Sequence, residues 1–205
     1  MPAVIYNRSA FVNCPFDPEF QPLRDAIIFA VMDCKFIPRC SLESADSGEV
    51  RIEKICNIIR ECRYGIHDIS RTQLSPDSHL PRFNMPFELG LYLGAVRFGE
   101  QKQRKKCCLI FDTEPYRYQK FLSDIAGQDI SAHHGTPAKV ITQIRDWLAP
   151  SSRRTNLDGG HAIVERYHQF QDDLPRLCEN ARQRQSELTF FDLIAHISLW
   201  STGTR

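Results

Sequence analysis

Two acidic residues of this chain have the surroundings that carboxylate chemistry requires. Glu88 stands in the segment Asn84-Met85-Pro86-Phe87-Glu88-Leu89-Gly90, where most neighbours are apolar. A carboxylate in such a helix is costly unless it is paired, hydrogen bonded or used. Asp68 closes the apolar segment that precedes it. Both are therefore candidate catalytic residues.

The position of Glu88 in its helix has two interpretations. Proline is favoured in a first helical turn, so the helix is predicted to begin at Met85 or Pro86, with Glu88 in that turn. The carboxylate would then serve a ligand, or it would only complement the helix dipole. Asp68 has a similar alternative, because aspartate is also common as an ordinary cap at a strand end.

Loop residues near these acids supply candidate binding groups. Arg71 and Arg82 could contact a pyrophosphate bidentately, although each alone could be a solvated loop arginine. Asn13 and Phe16 could bind a base or a ribose, or they could simply build a turn. Asn84, which begins the segment that contains Glu88, is a further candidate binding residue.

Two rival sites also follow from the residue types. Cys14 and His67 could form a thiol nucleophile and its base, but no third orienting residue is evident, which favours a buried cysteine. The pairs His133-His134 and Cys107-Cys108 do not have the usual spacing of metal ligands. We therefore expect neither a metal nor a resident cofactor.

The elements that position these residues alternate between strand and helix. The apolar patterns predict five strands, at residues 10–14, 36–40, 64–69, 107–111 and 129–132. Helices are predicted at 23–34, 52–59, 85–98, 116–126 and 137–148, the third largely buried. This alternation indicates a flavodoxin-like α/β fold with a parallel five-stranded sheet in the order 2-1-3-4-5. Pro38 places the second strand at an edge.

The chain is predicted to divide into an α/β domain, residues 1–150, and an extension, residues 151–205, with a linker near 150–160 and two helices at 162–182 and 187–200. The last helix carries an apolar face too large to leave exposed at low cost. We expect it to mediate self-association or contact with a partner protein, or else to fold back on the domain. The face comprises Phe190, Phe191, Ile194, Ile197 and Trp200.

Composition excludes several classes of function. The 26 basic and 25 acidic residues give a net charge of +1, so we expect no direct nucleic-acid binding. No apolar stretch is long enough for a membrane span, and the first seven residues do not suit a signal peptide. Gln101 to Lys106 is expected to form an exposed basic turn. These features predict a cytoplasmic protein.

Asp68 together with Phe87-Glu88-Leu89-Gly90 resembles the nucleoside 2-deoxyribosyltransferase family. In that family an acidic residue ends the third strand, and a Glu-Leu-Gly helix carries the nucleophile. The layout of residues 10–148 is also similar to bacterial TIR-type NAD hydrolases, whose catalytic glutamate lies on the helix before the fourth strand. One departure is Arg82, which stands where the transferases commonly place an aspartate for the base.

The resemblance implies an enzyme that cleaves an N-glycosidic bond, with Glu88 as the catalytic carboxylate and NAD as the substrate. Asp68 would hold ribose hydroxyls or help to position the leaving base. TIR-type effectors often act in antiphage defence, and the resemblance implies the same role for this chain. A nucleoside or nucleotide N-glycosidase or transferase remains an alternative, and so does a catalytically silent module that binds a nucleotide or a protein.

Overall fold

The computed structural model describes residues 3–44, 46–74 and 79–203, except for the side chain of Ala3. The strands are β1 (Ser9–Asn13), β2 (Ile37–Arg39), β3 (Tyr64–Asp68), β4 (Cys107–Asp112) and β5 (Ser131–Ala132). The α-helices are α1 (Ala3–Tyr6), α2 (Gln21–Asp33), α3 (Arg51–Glu61), α4 (Asn84–Phe98), α5 (Pro137–Ser152), α6 (Gly160–Asn180) and α7 (Phe190–Gly203).

The five strands form one parallel sheet in the order β2-β1-β3-β4-β5, which confirms the predicted fold class. Pro38 lies opposite Ala10 in the edge strand β2, where its missing N–H removes no bond from the interior of the sheet. Residue 13 pairs with residue 67, and residue 68 with residue 111. The carboxyl ends of β1, β3 and β4 therefore meet at one edge.

The two faces of the sheet are covered by different helices. Ala10 and Val12 of β1 pack in the core that contains α2 and α5, whereas Phe11 packs with α3 and with Tyr92 of α4. This alternation follows from the two-residue period of a strand. Because both faces are covered, β1 and β3 are buried along their whole length.

The last two helices share the core on the α2 side of the sheet. The Trp200 ring lies 6.0 Å from Phe29 and 5.7 Å from Phe170, measured between centroids. Of the apolar face predicted for the last helix, Phe190, Ile197 and Trp200 are buried, whereas Phe191 is 72% exposed. That face therefore folds back on the chain itself. Self-association stays a prediction and needs a different surface.

Several predicted boundaries were wrong. Residues 116–126 form two short 3₁₀ turns, Arg117–Lys120 and Ser123–Ile125, rather than the predicted α-helix, and Tyr116 before the first turn has a left-handed backbone with φ 60°. The helix α5 continues through Pro150 to Ser152, so the predicted linker begins inside it. Among the described ranges, no helix has both the length and the apolar character needed to span a bilayer.

The helix α4 differs from its prediction in start and in burial. It begins at Asn84, which puts Glu88 in the second turn rather than the first. Its buried residues are Met85, Glu88, Leu89 and Tyr92, so the helix is not largely buried. Phe87 and Phe98 are 56% and 89% exposed. The high apolar content of this helix therefore produces an exposed apolar face as well as a buried one.

Candidate functional site

The beginning of α4 is attached to the carboxyl edge of the sheet by Asn13. This buried side chain, at the end of β1, donates from Nδ2 to the Met85 carbonyl at 2.9 Å. The same nitrogen lies 3.1 Å from Nδ1 of His67. Asn13 was predicted to bind a base or a ribose. The Asn13 amide nitrogen joins β1, β3 and α4, and its Oδ1 is buried without a hydrogen-bond partner among the described residues.

Glu88 lies one turn beyond Met85 and is buried, with 4% of its surface exposed. Within the described part of the chain its carboxyl makes no hydrogen bond and no ion pair, since Arg51 acts on it only at longer range. Burial raises the pKa of Glu88 to about 7, and Arg51 opposes that rise. The carboxyl oxygens of Glu88 are not among the fully buried polar atoms of the described chain, so they remain open to a ligand, and the catalytic role of Glu88 stays a prediction.

His67 is a buried neutral imidazole beside this helix. Its ring packs against Phe11 and Tyr92, with centroids 5.7 and 4.8 Å away. Burial lowers the pKa of His67 to about 3, and Lys106 adds to that effect. If Nδ1 accepts the Asn13 N–H, then Nε2 carries the ring proton, and in the part of the chain that the structure describes Nε2 has no hydrogen-bond partner.

The alternative pairing of His67 with Cys14 does not form. Cys14 packs on the α2 side of the sheet, whereas the His67 ring lies on the α4 side with Tyr92. Burial, assisted by the charge of Asp68, raises the pKa of the Cys14 thiol well above its usual value. A thiol nucleophile at this position is therefore disfavoured.

Asp68 lies at the end of β3 and, unlike Glu88, has hydrogen-bond partners among the described residues. Its Oδ1 accepts hydrogen bonds from the backbone N–H and the hydroxyl of Ser70, at 2.9 and 2.5 Å. Its Oδ2 is 3.1 Å from Nε2 of His133, which follows β5, but the geometry does not meet that of a hydrogen bond. His133 accepts at Nδ1 from the Gly135 N–H at 2.8 Å. No contact joins Asp68 to Glu88.

Asp112, at the end of β4, is a third acidic residue at this edge, which sequence reasoning missed. Arg117 donates to its Oδ1 from Nε at 2.7 Å, and also to the carbonyls of Ile69 and Ser70 at 3.2 and 2.7 Å. Burial raises the pKa of Asp112, and Arg117 opposes that rise. The arginine thus ties the loop after β3 to the end of β4.

Unsatisfied buried polar atoms are concentrated at this edge. Most buried polar groups in proteins have a hydrogen-bond partner, so each exception needs an explanation. Here five lie at or just beyond strand ends, which is where ligands bind in open α/β sheets. They are Asn13 Oδ1, His67 Nε2, Asp68 Oδ2, Asp112 Oδ2 and His133 Nε2.

Arg71 and Arg82 lie together beside a cavity of about 420 Å³ at the same edge. Both guanidinium groups contact Asp17, each at 3.1 Å, and Arg71 also contacts Glu19 at 2.7 Å. The two arginines lie side by side, their charges are matched by acidic residues, and contact with a pyrophosphate stays a prediction. An anion would have to displace these carboxylates, which the sequence interpretation did not foresee.

The remaining candidates are more peripheral. Phe16 is partly buried and packs on the core near α2, and Asn84 is exposed at the first position of α4. Glu88 does not line the cavity beside the two arginines, so the predicted residues are brought to one edge but not into one pocket. The pattern that would have found Asp112 is its resemblance to Asp68, an acid directly after a buried strand.

Within the ranges the structure describes, no group of three or more His, Cys, Asp or Glu side chains could hold a metal ion. Comparisons with protein-family models, curated proteins and solved structures found no match. The site is therefore interpreted from its own geometry.

Proposed function

We propose that this protein cleaves the N-glycosidic bond of NAD, with Glu88 as the carboxylate that acts on the ribose. The observation that carries the proposal is that Glu88 is only 4% exposed as a residue, while its carboxyl oxygens are not fully enclosed and have no hydrogen-bond or ion-pair partner in the described chain. Burying such a group costs free energy, and retaining it is reasonable where a reaction uses it. Its raised pKa of about 7 leaves an appreciable ionised fraction near neutral pH.

The chemistry needs little beyond this carboxylate. When the bond between the ribose carbon and the nicotinamide nitrogen breaks, its electron pair goes to the positively charged ring, which leaves neutral and needs no proton. The sugar becomes an oxocarbenium-like cation that Glu88 would stabilise or trap covalently. Water then adds at the same carbon and loses a proton, giving ADP-ribose.

The other edge residues would hold the substrate. Asp68 and His133 have unsatisfied atoms at the strand ends, which suits ribose hydroxyls. Arg71 and Arg82 would bind the pyrophosphate by exchanging the Asp17 carboxylate for phosphate oxygens. Asn13 and Phe16 would contact the base or the ribose of such a ligand, and Asn84 would be a further binding residue.

Two other functions would use the same edge. A nucleoside hydrolase or deoxyribosyltransferase would also need a carboxylate at position 88, but Arg82 stands where the transferases place an acid for the base. A silent binding module would use the unsatisfied polar atoms without turnover. Two arginines beside the cavity favour a substrate with phosphates over a neutral nucleoside.

A substrate panel tests the proposal. The full chain is incubated with NAD, NADP and a set of nucleosides and deoxynucleosides, and products are separated by chromatography. We expect nicotinamide and ADP-ribose from NAD. Free base from nucleosides alone would replace the proposal by the nucleosidase alternative. Binding of NAD by calorimetry without any product would replace it by the silent module.

A further inference from the structure

A second cleft lies where the two C-terminal helices meet α2, on the side of the sheet opposite α4. Its volume is about 260 Å³, below the range usual for sites of drug-sized ligands, so its occupant would be small. One wall is apolar and is formed by residues of α2, α6 and α7. These are Ile28, Leu174 and Leu193.

The other wall carries two adjacent opposite charges. Asp25 is 9% exposed, and its Oδ1 is a buried atom with no hydrogen-bond partner in the described chain. The nearest cation is Arg24, whose Nε is 3.6 Å from that oxygen, beyond hydrogen-bond distance. Arg24 has no other ion-pair partner among the described residues, and its side chain is 17% exposed. Asp25 is buried and Arg24 is partly exposed, so the two opposite charges lie side by side at the wall of the cleft with the Asp25 Oδ1 free of a hydrogen bond within the described chain.

Burial of the Asp25 carboxyl in the wall of the cleft costs desolvation free energy. Desolvation raises the pKa of Asp25 to about 6, while Arg24 and Gln21 oppose that rise. The carboxyl would still be mostly ionised at neutral pH. A cationic group brought to Oδ1 would therefore remove part of the desolvation cost.

We propose that this cleft binds a free aliphatic α-amino acid, with the ammonium on Asp25, the carboxylate on Arg24 and the side chain on the apolar wall. The arrangement of charges matches that class of molecule, because its two charged groups are separated by one carbon and its third substituent is apolar. Since the cleft is formed jointly by α2 and by the connection between α6 and α7, an occupant would join the C-terminal helices to the sheet. This role is separate from the cleavage proposed at Glu88.

Calorimetric titration of the full chain with L-leucine tests the proposal. Two molecules that each lack one charged group serve as matched probes: 3-methylbutylamine, which lacks the carboxylate, and 4-methylpentanoate, which lacks the ammonium. We expect leucine to bind at least about tenfold more tightly than either, because a hydrogen bond to a charged group contributes on that scale. Equal binding of leucine and one probe, or no binding of leucine, overturns the proposal.

Variants locate the site. Asp25→Asn and Arg24→Gln should each weaken leucine binding by about tenfold or more. The exposed Asp129→Asn is the matched control and should leave it unchanged. If Asp25→Asn fails to fold, Leu188→Trp tests the same cleft, since the larger ring would fill it and abolish binding. Leucine binding that survives both Arg24→Gln and Leu188→Trp would place the ligand elsewhere and overturn the proposal.

Discussion

The two ends of the sheet each bury a charged side chain, but they treat it differently. At the amino end, Lys106 is 7% exposed and donates to the carbonyls of Ile59 and Cys62, at 2.5 Å for Ile59. Its ammonium also lies 5.0 Å from the centre of the Tyr92 ring. At the carboxyl end, Glu88 is equally buried and has no such partner.

The comparison separates a structural charge from a functional one. Burial shifts both groups towards neutrality, lowering the pKa of Lys106 to about 8 and raising that of Glu88 to about 7. The lysine offsets its desolvation by satisfying carbonyls at the end of α3, so removing it should damage the fold. No hydrogen bond or ion pair in the described chain offsets the desolvation of Glu88. Removing its charge should therefore reduce activity without destabilising the fold.

The largest effect expected from this comparison is on turnover. Glu88→Gln keeps the size of the side chain but removes the carboxylate, and losing such a charge stabiliser should slow NAD cleavage by at least about a hundredfold. Nicotinamide release under saturating NAD measures it. Glu100→Gln, an exposed glutamate just after α4, is the control and should keep full activity. Equal rates of nicotinamide release in the wild type and both variants would mean that Glu88 has no role in the reaction.

Substitution of Lys106 should have the next largest effect, on stability. In Lys106→Met the carbonyls of Ile59 and Cys62 lose their donor, and unsatisfied buried acceptors cost roughly 1–3 kcal/mol each. We expect a loss of about 2–4 kcal/mol in urea unfolding. The neighbouring Lys105→Met changes an exposed lysine and should shift stability little. Two variants of equal stability would contradict a structural role for Lys106.

Glu88→Gln should also stabilise the protein relative to the wild type, and this effect should grow as the pH rises above about 4.5. The folded-state pKa of about 7 exceeds the ordinary value of 4.5, so between these pH values the unfolded chain releases a proton that the folded chain retains. Wild-type stability therefore falls relative to the variant as pH rises through this window. The free energy of unfolding of the variant minus that of the wild type should be about 2–3 kcal/mol larger at pH 8 than at pH 4. A difference that does not change with pH would mean that Glu88 is partnered.

The smallest effect concerns the arginines beside the larger cavity. Arg82 is 54% exposed in its ion pair with Asp17, so Arg82→Gln should change stability by less than about 1 kcal/mol. If this side chain binds the pyrophosphate, KM for NAD should rise about tenfold while kcat changes little. Arg97→Gln, on the exposed side of α4, is the control. An unchanged KM would mean that NAD does not bind in this cavity.

The sheet could be predicted from sequence because each strand carries its own local signal. The apolar run of β4 and the proline in β2 indicate a central and an edge position without knowledge of any partner. The prediction failed at residues 116–126, whose pattern indicated an α-helix although the segment forms 3₁₀ turns that follow the left-handed residue Tyr116. It also failed for Lys106, expected in an exposed basic turn, because long-range contacts with α3 bury it.

The site was predicted in part for a similar reason. Glu88 is recognisable because its neighbours on one helix are apolar, which is a local pattern. The contacts Asn13–Met85 and Asp68–His133 join residues more than sixty positions apart, and only the folded chain brings them together. Asp17 escaped notice because its pairing with Arg71 and Arg82 requires the loop after β1 to meet the loop between β3 and α4.

The state of the Glu88 carboxyl tests the central claim most directly. Carbon-13 NMR of glutamate side chains, recorded over a pH series, follows its ionisation, and the signal is assigned by its absence from Glu88→Gln. We expect a pKa of about 7, because Glu88 is largely desolvated and its carboxyl has no partner in the described chain. A pKa at or below about 4.5 would mean that solvent or a cation reaches the group, and would contradict the account of Glu88 as an unpartnered catalytic carboxylate.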